Sequence, residues 1–402
     1  MQPLTAPHQK RIESIDIIRG IAMVLMALDH TRDYFHIGAN VDDPLNLATT
    51  SPALFFTRWI THFCAPIFVF LSGTSIYLQS LRKTKKELGI FLLKRGLWLI
   101  IVEWTIITFA WTFNPFYNFI AFQVIWAIGI SMVILGLMVL IRLPYKVIFI
   151  LGVIIVAGHN LLDIPEAAPG FQASFAWDLL HHGVFRPYEF SPNRFAFLVY
   201  PFPAWTGVMM LGYCAGALFT TEYTSEQRRK IITRIGLGLI AFFIALRFTN
   251  VYGDPVDWTT QKNGFYTFLS FINVDKYPPS LLYLCITIGP ALLLLAFMER
   301  IKNNFTNVMV VFGRTAFFYY IIHIYLIHLL AAICFFARGH TLEDAKNVGE
   351  KFPFLFVAPG EGYNLWVVYG VWLAVVISLY PLCKRYDQYK TNHKEKWWLS
   401  YL

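Results

Sequence analysis

Long apolar runs follow one another along this chain, separated by polar connections. Each run approaches the roughly 20 residues that an α-helix needs to cross a bilayer, and none shows the alternation typical of barrel strands. The pattern predicts an all-α, polytopic integral membrane protein with a single domain over residues 1–402. We place about ten spans of this length at 14–36, 54–80, 89–112, 118–140, 144–160, 198–219, 229–249, 278–298, 306–335 and 364–383.

Basic residues concentrate in the connections that share a side with the N-terminus. Cytoplasmic loops of membrane proteins carry an excess of Lys and Arg, so the asymmetry predicts that both termini are cytoplasmic. The outer connections are longer and rich in aromatic residues, which indicates ordered loops over an outward-facing cavity. The basic connections are 82–87, 142–146, 226–234 and 299–303, and the long outer loops are 161–197, 250–277 and 336–363.

The composition supports a membrane protein and narrows the functional classes. Hydrophobic residues make up 57% of the chain and charged residues 14%, whereas soluble domains carry about 25% charged residues. The net charge of +9 fits basic cytoplasmic loops better than a nucleic-acid-binding surface. The five cysteines have no metal-ligand or disulfide spacing, so we expect no bound metal. No cleavable signal pattern precedes the first run, which is expected to remain as a span.

Charged residues interrupt the end of the first apolar run, in the stretch ALDHTRDYFH at 27–36. With a rise of about 1.5 Å per residue, His30 lies in the outer half of a core about 30 Å thick, where ionisable groups face protein or a watery cavity. Asp29, Asp33 and His36 share one helix face, and Asp33 also neighbours His30. These residues are candidates for an acid–base site. The alternative for Asp33 and His36, which lie nearest the outer end of the run, is that they are ordinary residues at the membrane interface.

The ninth run, FGRTAFFYYIIHIYLIHLL at 312–330, supplies a second polar set. It places Arg314 near the cytoplasmic side, His323 near the middle and His328 at a depth similar to that of His30. A single membrane histidine usually packs and hydrogen-bonds, but two at one depth beside a carboxylate favour a shared site. A histidine oriented by a carboxylate can act as a general base, for example in acyl transfer to an amine or hydroxyl.

The cytoplasmic ends of the runs predict a basic inner mouth. Arg19 lies near the start of the first span, and Lys94 and Arg95 lie near the start of the third. These cations are either snorkelling anchors or ligands for a phosphate-bearing molecule.

Small and buried polar residues extend this region into the second and fourth runs. Ser72 and Gly73 belong to a small polar face that is either a helix-packing surface or a channel wall. Trp126 is a further buried polar candidate. No phosphate-binding loop, zinc-protease, serine-hydrolase or nucleic-acid motif occurs in the chain.

Several of these stretches, in this order, resemble the transmembrane acyltransferase family typified by heparan-α-glucosaminide N-acetyltransferase. The resemblance covers most of the chain, and its most specific part is the pair formed by the first two stretches. The stretches are ESIDIIRGIAMVLMALDH (13–30), APIFVFLSGTSIYL (65–78), LWLIIVEW (97–104), IWAIGISMVILGLM (125–138), PAWTGVMMLGYCAGALF (203–219) and FGRTAFFYYIIHIYLIH (312–328).

The resemblance implies that acetyl-CoA binds from the cytoplasm and that its acetyl group passes to a glucosamine-like acceptor on the far side, in an enzyme that is often a homodimer. Eukaryotic members have an Asn where this chain has His30, followed by a His for which His36 is the nearest match. This departure leaves open which histidine is the base or carries the acetyl group. It also leaves open whether the acceptor is an amino sugar or another glycan.

The functional hypothesis is therefore a membrane-embedded acetyl-CoA-dependent acyltransferase, expected in a bacterial inner membrane and in contact with lipid. The alternative is a proton-coupled transporter that uses the same His and Asp residues, although the inverted repeat common in transporters is not evident. The expected catalytic group is His30, His36, Asp29, Asp33, His323 and His328. The expected acetyl-CoA-binding group is Arg19, Lys94, Arg95, Trp126, Ser72, Gly73 and Arg314.

Overall fold

The computed structural model of this chain describes residues 12–182, 186–351 and 353–400. Both chain ends, which the sequence places in the cytoplasm, lie outside these residues. The predicted helical class is confirmed. The helices are α1 Glu13–Phe35, α2 Pro52–Trp59, α3 Cys64–Ser80, α4 Lys85–Val102, α5 Thr108–Thr112, α6 Val124–Leu140, α7 Tyr145–Gly158, α8 Asp163–Glu166, α9 Phe175–Leu180, α10 Phe202–Ala215, α11 Ser225–Arg247, α12 Gly264–Ile272, α13 Leu281–Met298, α14 Asn304–Arg314, α15 Ala316–Ala337, α16 Leu342–Lys351 and α17 Leu365–Asn392.

Six helical segments of the described chain are long and apolar enough to cross a membrane. They are Pro52–Ser80, Tyr145–Glu166, Phe202–Phe219, Leu281–Met298, Ala316–Ala337 and Leu365–Asn392. Helix α1 has 23 residues but carries charges at both ends, including Asp16, Arg19, Asp29 and Arg32. Such charges lower its mean hydropathy, so length and composition alone do not mark it as a span. The chain is thus a multi-pass integral membrane protein.

Helix boundaries follow local capping chemistry at several positions. Thr84 begins α4 and Thr224 begins α11, each in a capping box in which the cap hydroxyl and the side chain three residues later bond each other's backbone N–H groups. Ser280 accepts from the Tyr283 N–H at the start of α13, and Asn364 accepts from two N–H groups of α17. These caps fix where polar connections give way to apolar helices.

Helix α1 lies among several helices and packs directly against α3, α13, α14, α15 and α17. Glycines permit the closest of these approaches. A Cβ added at Gly20 would lie 1.9 Å from the Met309 carbonyl oxygen, and one added at Gly313 would lie 1.9 Å from that of Asp16. Because neither position has room for a side chain, the backbones of α1 and α14 lie in contact. The polar residues of α1 are thereby buried in the protein.

A small sheet forms beside the helices, which the sequence did not predict. Strands β1 Phe119–Phe122, β2 Pro187–Ser191 and β3 Arg194–Leu198 lie in the order β1-β3-β2. Strand β3 pairs parallel to β1, with Phe119 opposite Phe195, and antiparallel to β2, with Pro187 opposite Phe197. The Phe122 carbonyl also accepts from the Val199 and Tyr200 N–H groups. This pairing holds the segment after β3 beside the start of α6.

Candidate functional site

A large cavity lies at the end of the bundle where α1 begins; we call it the basic cavity. Its volume is about 850 Å³, and its apolar wall includes residues of α1, α4 and α6. Among the described residues that line it, Asp387 is the single carboxylate. The lining cations are Arg19, Lys83, Arg95, Arg314, Lys390, Lys394 and Lys396. Such an excess of positive charge suits a ligand with several negative charges.

Hydrogen bonds and ion pairs hold two of these arginines at the wall of the cavity. Arg19 donates to the Ser75 hydroxyl at 2.9 Å and forms an ion pair with Asp16 at 3.3 Å. Arg314 forms an ion pair with Asp387 of α17 at 3.4 Å. The guanidinium groups are therefore positioned before any ligand binds. Ser72 also lines this cavity, one residue from the packing contact of Gly73.

The C-terminal segment supplies a large part of the basic cavity. Lys390, Lys394 and Lys396 line it together with Trp397. Lys396 is held by a hydrogen bond of 2.5 Å to the Tyr389 hydroxyl. No motif in this basic tail points to a binding site. Its role depends on the length of α17, which brings the tail back over the cavity.

Three residues expected to bind acetyl-CoA lie away from both cavities. Lys94 is exposed on α4 and does not line the basic cavity. Gly73 faces α10, where an added Cβ would lie 2.1 Å from the Met209 carbonyl oxygen. Trp126 is buried and stacks on Trp104 with ring centroids 5.9 Å apart.

A second, smaller cavity of about 230 Å³ lies further along α1; we call it the histidine cavity. Its described wall includes residues of α1, α2, α3 and α15, the start of α6, the segment that follows β3, and the connection between α12 and α13. Its polar lining residues are Asp29, His30, Arg32, Asp33, Asn40, Arg58, Thr61, Cys64, Trp111, Gln123, Tyr200, Lys276, Tyr277 and Tyr320. It therefore combines a histidine with groups of both charge signs.

The two carboxylates of the histidine cavity bind arginines. Asp29 forms ion pairs with Arg58 at 2.5 Å and with Arg32 at 3.0 Å. Asp33 pairs with Arg32 at 2.5 Å. Both carboxylates are thus engaged by guanidinium groups, which are suited to bidentate contacts. The hydrogen bond expected from His30 to one of these carboxylates is replaced by a contact with another histidine.

His30 is oriented by His323 of α15. His30 Nδ1 lies 2.8 Å from His323 Nε2, and His323 Nδ1 lies 2.8 Å from the Tyr319 carbonyl oxygen. Because a carbonyl oxygen only accepts, His323 Nδ1 carries the proton. A neutral His323 then accepts through Nε2, so His30 donates through Nδ1. His30 Nε2 is left unprotonated at the cavity, as a general base requires.

The other two candidate histidines lie outside the histidine cavity. His36 caps the end of α1, and its Nδ1 accepts from the Gly38 N–H at 3.1 Å. His328 is buried against Phe113, with its ring nitrogens 2.9 Å from the Ala110 carbonyl oxygen and 2.7 Å from that of Leu355. His328 therefore connects three segments of the chain through backbone contacts.

The two cavities adjoin, because four mostly apolar residues belong to the walls of both. Met26, Phe68, Val124 and Tyr320 line both cavities. His30 lies one helical turn beyond Met26 on α1, on the histidine-cavity side of the neck. A slender chain that passes through the neck from the basic cavity would reach the neighbourhood of His30. We call these four residues the neck.

Arg58 and Lys276 are residues of the histidine cavity that sequence analysis did not identify. Arg58 lies on α2, near the N-terminal end of the predicted second span, where a snorkelling anchor is the ordinary expectation. Lys276 follows Asp275 in a loop rich in proline, and burial raises the pKa of Asp275 from 3.8 to about 7. The stretch DKYPP at 275–279 gave a weak signal, since a pair of prolines marks a turn.

The fold and these cavities define a multi-pass membrane protein with a large basic cavity beside a smaller cavity that contains a histidine. A family model described as heparan-alpha-glucosaminide N-acetyltransferase, catalytic, matches residues 11–245, which is more than half of the chain. The chain belongs to this family, so the predicted family is confirmed. Membership implies an N-acetyltransferase enzyme. A comparison with curated proteins finds no matching relative.

Proposed function

We propose that this protein transfers an acetyl group from acetyl-CoA in the basic cavity to an amino sugar or related glycan in the histidine cavity. The neck carries this proposal, because its four residues line both a cavity suited to a polyanion and a cavity that contains a histidine with an unprotonated Nε2. Coenzyme A carries three phosphate groups and a long, flexible arm that ends in the thioester. Its phosphates suit the cations of the basic cavity, and its arm suits the neck.

We further propose that about ten helices cross the membrane, including the charged helices α1, α4 and α11 as well as α6. Both termini would then be cytoplasmic, and the basic cavity would open to the cytoplasm, where acetyl-CoA is made. The histidine cavity would open to the opposite side, in the direction of a cell-envelope glycan. This orientation follows from the distribution of Lys and Arg in the connections. A bacterial inner membrane is the location that we propose.

The reaction at the neck would be direct acetyl transfer. The acceptor amine or hydroxyl attacks the thioester carbonyl carbon while His30 Nε2 removes its proton. The new C–N or C–O bond forms, the C–S bond breaks, and the sulfur leaves as a thiolate that takes up a proton. His323 positions His30 and stabilises the cation that His30 becomes. Asp29 and Asp33, bound to arginines, would shape the acceptor side rather than hold the base.

A bulky side chain in the neck tests this proposal. In the purified full-length protein, Val124→Trp is expected to retain acetyl-CoA binding and to lose acceptor-dependent release of CoA thiol. Leu137→Trp is the matched control, because Leu137 lies on the same helix but is 49% exposed. This control should retain both binding and release.

Glucosamine and a neutral hexose are the acceptors with which to begin. If the wild-type protein releases no CoA thiol with either acceptor and does not bind acetyl-CoA, the proposal is overturned and a proton-coupled transporter is favoured. Release by Val124→Trp at the wild-type rate would show that the acetyl group does not pass through the neck.

A further inference from the structure

Lys276 places a buried positive charge in the histidine cavity. The residue is 7% exposed and lines the cavity together with Arg58 and Arg32. It lies beyond residue 245, where the family match ends. Among the described residues, the cavity is lined by these three cations and by two carboxylates, Asp29 and Asp33.

Lys276 differs from the two arginines in its partners. Arg32 and Arg58 each form an ion pair with a carboxylate of the cavity. In the part of the chain that the structure describes, no carboxylate lies within the 4.0 Å ion-pair distance of the Lys276 ammonium. Its close partner is Tyr277, whose ring centroid is 5.0 Å away and whose hydroxyl it hydrogen-bonds. The three cations and two carboxylates of the lining leave one positive charge in excess.

The loop that carries Lys276 is fixed from two sides. Asp254 accepts from the Asp275 N–H at 2.9 Å and from the Ser280 hydroxyl at 2.6 Å. On the other side, His159 Nε2 lies 2.8 Å from the Pro279 carbonyl oxygen. These bonds hold the backbone on both sides of Lys276. The lysine is therefore not a surface side chain that has folded inward but a part of the cavity wall.

A buried ammonium without a counter-charge loses its hydration and needs another source of negative charge. Arg32 adds a donor, because its buried Nη1 has no hydrogen-bond partner among the described residues. We propose that Lys276, with Arg58 and Arg32 beside it, forms an anion subsite, and that the acceptor carries an anionic group next to the nitrogen or oxygen that is acetylated. The subsite deepens the proposed function and rests on it.

The anionic group is a carboxylate or a phosphate on a sugar. The cavity of about 230 Å³ suits one sugar ring with such a substituent. A protonated amino sugar without an anionic group would instead add a further positive charge to a cavity that already has a surplus. The subsite thus selects acidic sugars over neutral or cationic ones.

The test compares glucosamine 6-phosphate, 2-amino-2-deoxyglucuronate and glucosamine as acceptors for the full-length protein. Wild type is expected to show a KM that is about tenfold or more lower for at least one acidic sugar than for glucosamine, since a charge-assisted contact contributes about this much. The phosphate and carboxylate probes distinguish the two sources of the anion. Lys276→Gln should remove the preference while transfer to glucosamine continues.

Lys262→Gln is the matched control for Lys276→Gln. Lys262 belongs to the same outer loop and lies over a tyrosine ring, 3.7 Å from the centroid of Tyr266, but it is exposed and does not line the cavity. Its replacement should leave the preference unchanged. Equal KM values for acidic and plain glucosamine in wild type, or an unchanged preference in Lys276→Gln, would overturn the anion subsite.

Ligand-induced thermal stabilisation separates this inference from the proposed function. If transfer is absent with every acceptor, glucosamine 6-phosphate and 2-amino-2-deoxyglucuronate should still raise the Tm of wild type more than glucosamine does, and Lys276→Gln should lose that difference. Such a result would retain the subsite and reject the transferase. Transfer without any preference or differential stabilisation would reject the subsite and retain the transferase.

Discussion

The basic cavity and the histidine cavity contain similar charged residues in different arrangements. In the basic cavity, cations from four segments of the chain surround one carboxylate in about 850 Å³. In the histidine cavity, arginines and carboxylates lie in direct ion pairs in about 230 Å³. The first arrangement suits a large, strongly charged ligand, and the second fixes groups around a smaller one. On the proposed function, the excess charge would bind the donor, whereas the paired charges would position the reacting groups.

The neck explains why the two arrangements occur side by side. In the proposed reaction, the cations at one end of α1 would hold the polyanionic donor, and its thioester would have to reach His30 further along the helix. The four neck residues between the cavities are mostly apolar, which would separate the donor phosphates from the ion pairs of the histidine cavity. Substitutions in one cavity should therefore change binding of the donor, and substitutions in the other should change the chemical step.

The largest expected effect is on the proposed general base. His30→Ala should lower kcat by about 100-fold to 10,000-fold, because the acceptor proton then has no positioned base. The KM for acetyl-CoA should change little. Steady-state release of CoA thiol measures both constants. His36→Ala is the control, since His36 is the other candidate base and lies outside the cavity; a loss in His36→Ala alone would reverse the assignment.

A smaller loss is expected when the positioning histidine is changed. His323→Gln should lower kcat by about tenfold to 100-fold, since the His30 tautomer is no longer fixed, and should shift the pH–rate profile. A purely structural role would lower the amount of active protein without moving that profile. His328→Gln provides the comparison, because His328 bonds backbone carbonyls and should leave the pH profile in place.

A substitution in the basic cavity is expected to weaken the binding of the donor alone. Arg95→Gln should raise the KM for acetyl-CoA by about tenfold through loss of a charge-assisted contact, with kcat nearly unchanged. Lys94 precedes Arg95 in the sequence but is exposed outside the cavity, so Lys94→Gln should behave like the wild type. Equal effects of the two substitutions would mean that general surface charge, rather than the cavity, attracts the donor.

The last expected effect is on stability, near the Lys276 loop, and leaves catalysis unchanged. Burial raises the pKa of Asp275 from 3.8 to about 7, so the folded state holds this proton more tightly than the unfolded state. The contribution of this proton to the free energy of unfolding is fully present below pH 3.8 and is lost as the pH rises to about 7. Asp275→Asn should reduce this decline in the free energy of unfolding, by about 4 kcal/mol at most.

Chemical unfolding of the two proteins at several pH values between 4 and 8 measures the decline. Asp257→Asn, in an exposed position of the same loop region, is the control and should retain the wild-type pH dependence. An identical pH dependence in Asp275→Asn would show that another group causes the decline.

The sequence predicted much of the basic cavity and less of the histidine cavity. Arg19, Arg95, Ser72 and Arg314 line the basic cavity, as their positions at helix ends suggested. Lys94 adjoins Arg95 in the chain but points elsewhere, because consecutive helical residues lie on different faces. The basic tail was missed because its approach depends on how α17 is placed, which no local pattern encodes.

For the histidine cavity, the sequence identified ALDHTRDYFH but not its internal contacts. Spacing favoured an aspartate as the partner of His30, since Asp33 lies three residues away. The arginines of α1 and α2 take both carboxylates instead, and His323 takes the imidazole. Residues from distant parts of the chain compete for these groups, and only their three-dimensional placement decides the result.

The sequence by itself determined the helical membrane class, the family and the chemical types of the candidate residues. These properties follow from local quantities: the length of apolar runs, the depth of a residue along a helix and the order of short motifs. Tertiary structure decided which polar groups meet. Close glycine contacts place α1 among its neighbours, the ends of α17 and of the α12–α13 connection complete the two cavities, and the four neck residues line both. Such contacts join residues hundreds of positions apart, so no periodicity along the chain records them.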